Sequence, residues 1–245
     1  MAQEKYVFAL TPTEEVPNLE GVQSFGEASL EALDVEELTA IVAPMPSGRL
    51  RPRRSNLRVH HGVIDHLIDH GASALPFAFG IATPAGELEA FIRDHYEDLA
   101  ERIETVRGGV ETTVRVSTGG DGFYDYLLSQ SDELAAFRDQ IYAGGREPTR
   151  QEKIEVGQRV DALRQQLSEA LKAQLEEGLS EASMGISTQE PSGEHELAHL
   201  VCLVQRSATE EFEEALEALA SAMDDELVIQ LSPYLAPYHF SDLQL

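Results

Sequence analysis

Four histidines stand close together at His60, His61, His66 and His70, with Asp65 and Asp69 among them. His66 and His70 are four apart, the spacing that lets two imidazoles on a helix meet one metal ion. A metal site needs a third ligand, and no His/Glu signature supplies it. His60 falls on an apolar helix face beside Ile64 and reads as a partly buried, hydrogen-bonded side chain. His195 and His199 have the same spacing in a strand-like stretch, where residues four apart lie roughly 13 Å from each other. Cys202 is the single cysteine, so no intramolecular disulfide can form, and its apolar surroundings predict a buried structural thiol rather than a thiolate nucleophile. Gly119-Gly120-Asp121-Gly122 lacks the spacing and the following Lys-Ser/Thr of a phosphate loop and reads as a plain turn. There is no Ser-His-Asp order and no nucleophile elbow. Carboxylate runs such as Glu210-Glu211 with Glu213-Glu214 are a solvated helix face. The expectation is a protein with no catalytic residue, no cofactor and no metal.

Interaction surfaces remain. Leu75-Pro76-Phe77-Ala78-Phe79-Gly80 and Ala236-Pro237-Tyr238-His239-Phe240 are two aromatic-proline motifs at distant points of the chain. Strand alternation puts Leu75, Phe77 and Phe79 on one face, the pattern of a core strand, with Pro76 and Gly80 at its ends. In the tail, Pro233 and Pro237 enforce an extended path with no continuous ladder. Its aromatic side chains either staple onto the body or face a partner. Phe77, Phe79, Tyr238 and Phe240 are the candidate partner-binding residues, with a structural role weighed ahead of direct contact. Arg49, Arg51, Arg53 and Arg54 form the one basic cluster, either a solubilising loop or a grip for an acidic partner.

Composition narrows the partners. Among 245 residues, 44 are acidic and 18 basic, for a formal charge of −26. Phosphate neutralisation needs Lys and Arg, so nucleic acid is excluded as a partner of the general surface, and so is an anionic membrane. Lysine occurs only at positions 5, 153 and 172. That balance suits either a saline cytoplasm, where screening removes self-repulsion, or an acidic protein from a GC-rich genome. No N-terminal stretch reads as a signal peptide and no apolar run reaches the ~18–20 residues of a membrane helix, so the expected location is cytoplasmic.

The elements that must position these residues follow from periodicity and punctuation. Strands are expected at 4–11, 21–25, 37–44, 74–82 and 110–117. Helices are expected at 55–70, closed by Gly71, and at 83–106, with Thr83 as N-cap and Pro84 in the first turn. This β-β-α-β-α-β order predicts a ferredoxin-like unit with helices on one face of its sheet. A helix at 123–142, a loop at Gly144-Gly145 and a long helix at 149–180 opened by a Thr149/Glu152 capping box make a helical hairpin. Val156, Val160, Leu163, Leu167, Leu171 and Leu175 stripe the long helix. Strands at 181–189, 197–205 and 226–232 surround a helix begun by a second capping box, Ser207 to Glu210. The fold class is therefore α+β: two small α+β units, residues 1–118 and 119–245, the first ferredoxin-like, with the hairpin between their sheets. No sequence repeat relates the halves.

In order, Tyr6-Val7-Phe8-Ala9-Leu10, Leu38 to Ala43, Arg53 to His60 with Val63-Ile64, the LPFAFG segment, Gln151 to Gln158 and the PYHF tail resemble the gas vesicle protein F/L family, over most of the chain up to Leu243. Departures are Ala78, where members often carry Arg, and a tail without Trp. The resemblance implies a non-enzymatic accessory factor in gas vesicle assembly. It would bind the small hydrophobic shell protein, during nucleation or as a minor shell component, perform its task at the gas vesicle in the cytoplasm, and meet other gas vesicle accessory proteins. The alternative is a ligand-binding or enzymatic α+β protein, with a pocket near His60 and the arginine loop. A further alternative is an oligomeric scaffold pairing through the long helix.

Overall fold

The computed structural model describes residues 4–46, 48, 50–119, 122–143, 147–193 and 195–241. Arg49, the Gly120-Asp121 part of the expected turn, Gly144-Gly145 and Leu243 lie outside the described residues. The chain forms two compact units. The first runs to Glu111 and also takes Leu203–Arg206 and the tail from Tyr234; the second holds Thr112–Cys202 and Ser207–Pro233. The division expected at 118/119 thus differs from the one observed, and the tail returns to the first unit.

In the first unit, β1 (Glu4–Pro12), β2 (Glu31–Val35), β3 (Leu38–Pro44) and β4 (Leu75–Pro76) make a sheet in the order β2-β3-β1-β4, and β5 (Ala82–Pro84) also pairs with β1. β1 pairs antiparallel with β3, β4 and β5. Helix α1 (Arg54–Asp69) covers one face through Val63, Ile64, Leu67 and Ile68, which join Tyr6, Phe8, Ala9 and Ile41. Helices α2 (Ala85–Asp94) and α3 (Tyr96–Thr105) cover the other through Leu88, Ile92, Leu99 and Ile103, which join Val7, Leu10, Ala40 and Val42. The expectation of helices on one face is corrected here. The run Tyr6-Val7-Phe8-Ala9-Leu10 is wholly buried because its strand is sandwiched, and unbroken apolar runs are the mark of such strands.

A bulge sits within that run. Val7 pairs with Val42 and Ala9 with Ile41, leaving Phe8 as the extra residue. The extra residue shifts the parity of the pleat, so Phe8 and Ala9 both serve the α1-side core while Val7 and Leu10 serve the other.

Helix α1 ends as its sequence dictates. Gly71 takes φ +89°, its N–H donates to the Ile68 carbonyl, and the Ala72 N–H donates to the Leu67 carbonyl, the paired bonds of a Schellman closure. The expected helix at 83–106 is two helices broken at His95, and the residue before α2 is Pro84, with no side-chain cap. The expected strand at 21–25 is absent; the strand lies at β2 instead. The expected strand at 74–82 is split into β4 and β5 by a turn.

The second unit holds β6 (Gly109–Thr118, its first residues in the first unit), α4 (Phe123–Ser129), α5 (Asp132–Tyr142), α6 (Arg150–Leu179), β7 (Gly185–Gln189), β8 (Glu196–Gln205), α7 (Thr209–Ala222) and β9 (Leu227–Leu231). Its sheet order is β7-β8-β6-β9. The expected helix at 123–142 breaks at Ser131, whose hydroxyl accepts from the Leu134 N–H to start α5. Thr149 and Glu152 form the expected capping box of α6. The second expected box does not form: a 3-10 turn at Arg206–Ala208 precedes α7, whose N-cap position is Ala208. Leu171, Leu175 and Leu179 of α6 are buried, whereas the stripe from Val156 to Leu167 is only half-buried. The α5–α6 hairpin is held partly by Arg159, whose guanidinium lies 3.8 Å from the centre of the Phe137 ring and which pairs with Glu133.

The α+β class holds, and the ferredoxin-like detail expected for residues 1–118 is met only in part. The strand order and antiparallel pairing of the first sheet match that arrangement, but residues 13–30 between β1 and β2 carry no α-helix where its β-α-β-β-α-β order needs one, and the 109–118 strand belongs to the other sheet. The two sheets share one plan. In each, a first strand is followed by a connection, a pair of neighbouring strands, one helix and a last strand, giving the order second-third-first-fourth. In both, the first strand pairs antiparallel with the last. Hydrogen bonds Thr118 N–H to His195 O and Arg206 N–H to Gly108 O set β6 antiparallel to β8, as β1 is to β3.

Candidate functional site

The two aromatic motifs meet in the first unit. β4 lasts only two residues; Phe77 continues it with an N–H bond to the Phe8 carbonyl, and the chain then turns at Gly80, φ +100°. That positive φ suits glycine and turns the chain towards β5. Leu75 and Phe77 lie in the α2–α3-side core, while Phe79 packs on the α1-side core. The alternation expected for the three residues fails at Phe79 because the strand has already ended.

The tail makes the same division. Tyr238 packs on the α1-side core and Phe240 on the other, carried by the short helix α8 (Tyr238–Ser241). Each motif therefore contributes one aromatic side chain to each face of the sheet, Phe79 with Tyr238 and Phe77 with Phe240. Phe77 is fully buried and the other three are half-buried. Stapling onto the body, one of the two readings of the tail, is what the structure places.

A chain of polar contacts locks the α1 side. The Gly80 N–H donates to Tyr6 Oη at 3.0 Å, and Tyr6 Oη lies 2.9 Å from His60 Nδ1. Tyr238 Oη lies 3.2 Å from His60 Nε2 and 3.1 Å from His61 Nδ1. An amide can only donate, so a consistent polarity runs from Gly80 through the Tyr6 hydroxyl into Nδ1, then from Nε2–H into Tyr238 and on to His61. His60 is fully buried, its ring packed near those of Phe8, Phe79 and Tyr6. Burial pushes its pKa down to about 4, with His61 adding to the same direction. Burial likewise pushes Tyr6 up to about 12 and raises Tyr238 further, with Asp65 contributing. All three groups are therefore uncharged near neutrality, and their hydrogen bonds are those of neutral partners.

Two more ties hold the tail. Glu111 exchanges backbone bonds with Leu235, at 2.7 and 2.8 Å, and its carboxylate accepts from the His239 N–H at 2.7 Å. Burial raises the Glu111 pKa, against the pull of those amides. Arg102 Nη1 donates to the Ser241 carbonyl at 3.0 Å. Neither Glu111 nor Arg102 was marked by any sequence signal, since partners lying more than a hundred positions away leave no local pattern.

The remaining candidates are placed plainly. His66 and His70 face each other, ring centres 4.0 Å apart, but His66 Nε2 bonds the Asn18 carbonyl and His70 Nδ1 the His66 carbonyl. Among the described residues no group of three His, Cys, Asp or Glu could hold a metal ion. Cys202 is buried in the second unit, its thiol pushed up to about 12 by burial and therefore unreactive. Open clefts lined by Val16 to Leu30, and by Glu37, Tyr96 and Ile103, contain neither His60 nor the arginine loop. No described helix is long and apolar enough to cross a membrane.

Chemically this is a neutral, hydrogen-bonded clasp that fixes a chain end. Among the described residues no activated nucleophile faces it, and the protein that carries it has an α+β fold already known from crystal structures. Two of these cover nearly all of both chains: gas vesicle protein GvpF from Anabaena sp., with TM-score 0.85 at 18% identity, and GvpF from Microcystis aeruginosa, with TM-score 0.78 at 19% identity. By sequence the chain is 20% identical to gas vesicle protein F of Haloferax mediterranei over 100% of its own length and 96% of the relative's. It is also 20% identical to that of Dolichospermum flosaquae, over 97% of each. The family profile described as gas vesicle synthesis protein GvpL/GvpF matches residues 4–242, and the chain belongs to that family.

Proposed function

We propose that this protein is an accessory factor of gas vesicle assembly that binds the small hydrophobic shell protein, during nucleation or as a minor component of the shell. Family membership over residues 4–242 carries the reading. The physical case supports it: a carrier with a formal charge of −26 can cover apolar surface on a subunit that polymerises while repelling its own complexes. The working place is the gas vesicle in the cytoplasm, with other accessory proteins as further partners. Phe77, Phe79, Tyr238 and Phe240 serve this role by holding the tail, so that the half-exposed Leu235 beside them is offered at a fixed position. A pocket-bound substrate is disfavoured, because the clasp fills the place where His60 would have met one.

The test is co-expression of tagged protein with the shell protein, followed by affinity capture at low and at molar salt. Co-elution at either salt is the expected result, reduced when Leu235 is changed to Glu in a protein that still folds. Absence of the shell protein from the eluate at both salts would overturn the proposal.

A further inference from the structure

Arg51, Arg53, Arg54 and Arg58 are exposed, and none has a side-chain hydrogen bond or ion pair among the described residues. That is unusual in this chain, where carboxylates outnumber cations 44 to 18. Elsewhere Arg93, Arg102, Arg107, Arg115, Arg138 and Arg159 each hold an acidic side chain.

The four are gathered on fixed backbone. The Arg51 carbonyl accepts from the Arg53 N–H at 2.7 Å and from Asn56 Nδ2 at 2.9 Å, pinning the loop to the first turn of α1. Arg54 and Arg58 are four apart on that helix and share a face. The arrangement costs stability twice. Like charges at that spacing repel, and cations at a helix N-terminus oppose the macrodipole. No acidic residue occupies the first turn of α1 to relieve either cost.

We propose that Arg51, Arg53, Arg54 and Arg58 form a docking surface for an acidic segment of a partner protein. Charge complementarity chooses the occupant. Guanidinium forks match carboxylates in paired geometry, and four of them without internal partners leave that capacity unused. A long polyanion such as nucleic acid would run from the patch onto a surface of opposite preference, given the charge of −26, whereas a short acidic stretch ends within it. A second copy of the chain brings the same −26 and is repelled before it docks. The surface is independent of the shell-protein reading, since it recognises charge rather than apolar area.

The experiment uses the full chain and a fluorescein-labelled glutamate-rich peptide, followed by anisotropy at low salt. Binding should weaken as salt rises and screening sets in. Arg54→Glu with Arg58→Glu should weaken it by about tenfold or more, a ~1.4 kcal/mol loss per factor of ten. Arg138→Glu with Arg150→Glu makes the same charge change elsewhere and should weaken it by less than about twofold. Arg54, Arg58 and Arg150 are exposed and Arg138 is half-buried, and circular dichroism checks that both double variants fold. Equal loss in both double variants, or no binding by the unaltered protein, would overturn the proposal. So would tighter binding of a single-stranded oligonucleotide of matched charge, or self-association in sedimentation equilibrium that the Arg54/Arg58 variant abolishes.

Discussion

Tyr238 shows what a single hydroxyl does here. It bridges two histidines of α1 from a tail that the chain reaches only after 177 further positions. Tyr238→Phe keeps the ring and removes the bridge, leaving His60 Nε2 without its partner. A buried polar atom left unsatisfied costs about 1–3 kcal/mol, and chemical denaturation should register a loss of that size. His60 adds a pH dependence whose sign is fixed. In the fold its pKa is about 4, whereas an unfolded histidine binds its proton near ~6.5. The unfolded state therefore gains the proton first, and stability that is complete above ~6.5 falls as pH drops towards ~4, by up to about 3 kcal/mol. Glu111 and Asp65, both raised by burial, act in the opposite direction. The informative comparison is thus with His60→Gln, in which that acid loss should be absent. The sequence made His60 legible as a buried, bonded histidine because its helical spacing from Ile64 is local. It could not show Tyr6 or Tyr238 as the partners, because long-range pairing leaves no periodicity to read.

At the scale of elements, local chemistry was legible where it was also the winning interaction. Thr149 and Glu152 bond reciprocally as a capping box, and Gly71 closes α1. Ser207 and Glu210 have the same box spacing, but the chain spends Arg206–Ala208 in a 3-10 turn, and no side-chain cap forms at Ala208. Thr149→Ala should cost about 1 kcal/mol in thermal or urea unfolding, and Ser207→Ala should stay within about 0.5 kcal/mol of neutral. The strand expected at 74–82 is cut short for a related reason. An alternating apolar pattern persists through Phe79, yet the ladder to β1 stops at Phe77, before the turn at Gly80, and pattern alone does not reveal where a ladder stops. The bulge at Phe8 was invisible in the same way, because a run in which every residue is apolar carries no parity to break.

At the scale of the whole chain, the α+β class and the family were legible from element order and from two short motifs. The shared plan of the two sheets was not. Their first connections differ in kind, a segment from Thr13 to Leu30 in one and the helices α4, α5 and α6 in the other, so no sequence repeat survives to mark it. Charge is a property of this scale too. A chain at −26 repels itself when compact, and salt should raise its unfolding temperature between low and molar concentration as that repulsion is screened. A temperature independent of salt would mean that the surface charges are already compensated locally.

The central proposal is that this protein keeps the shell subunit from polymerising out of solution. The most direct measurement is the partition of the small shell protein between supernatant and pellet when it is produced with and without this chain. Shell protein moving into the supernatant with the intact chain, and returning to the pellet with Tyr238→Ser and Phe240→Ser in a chain that remains folded, is the predicted result. The same pelleted fraction with and without the chain would contradict the account.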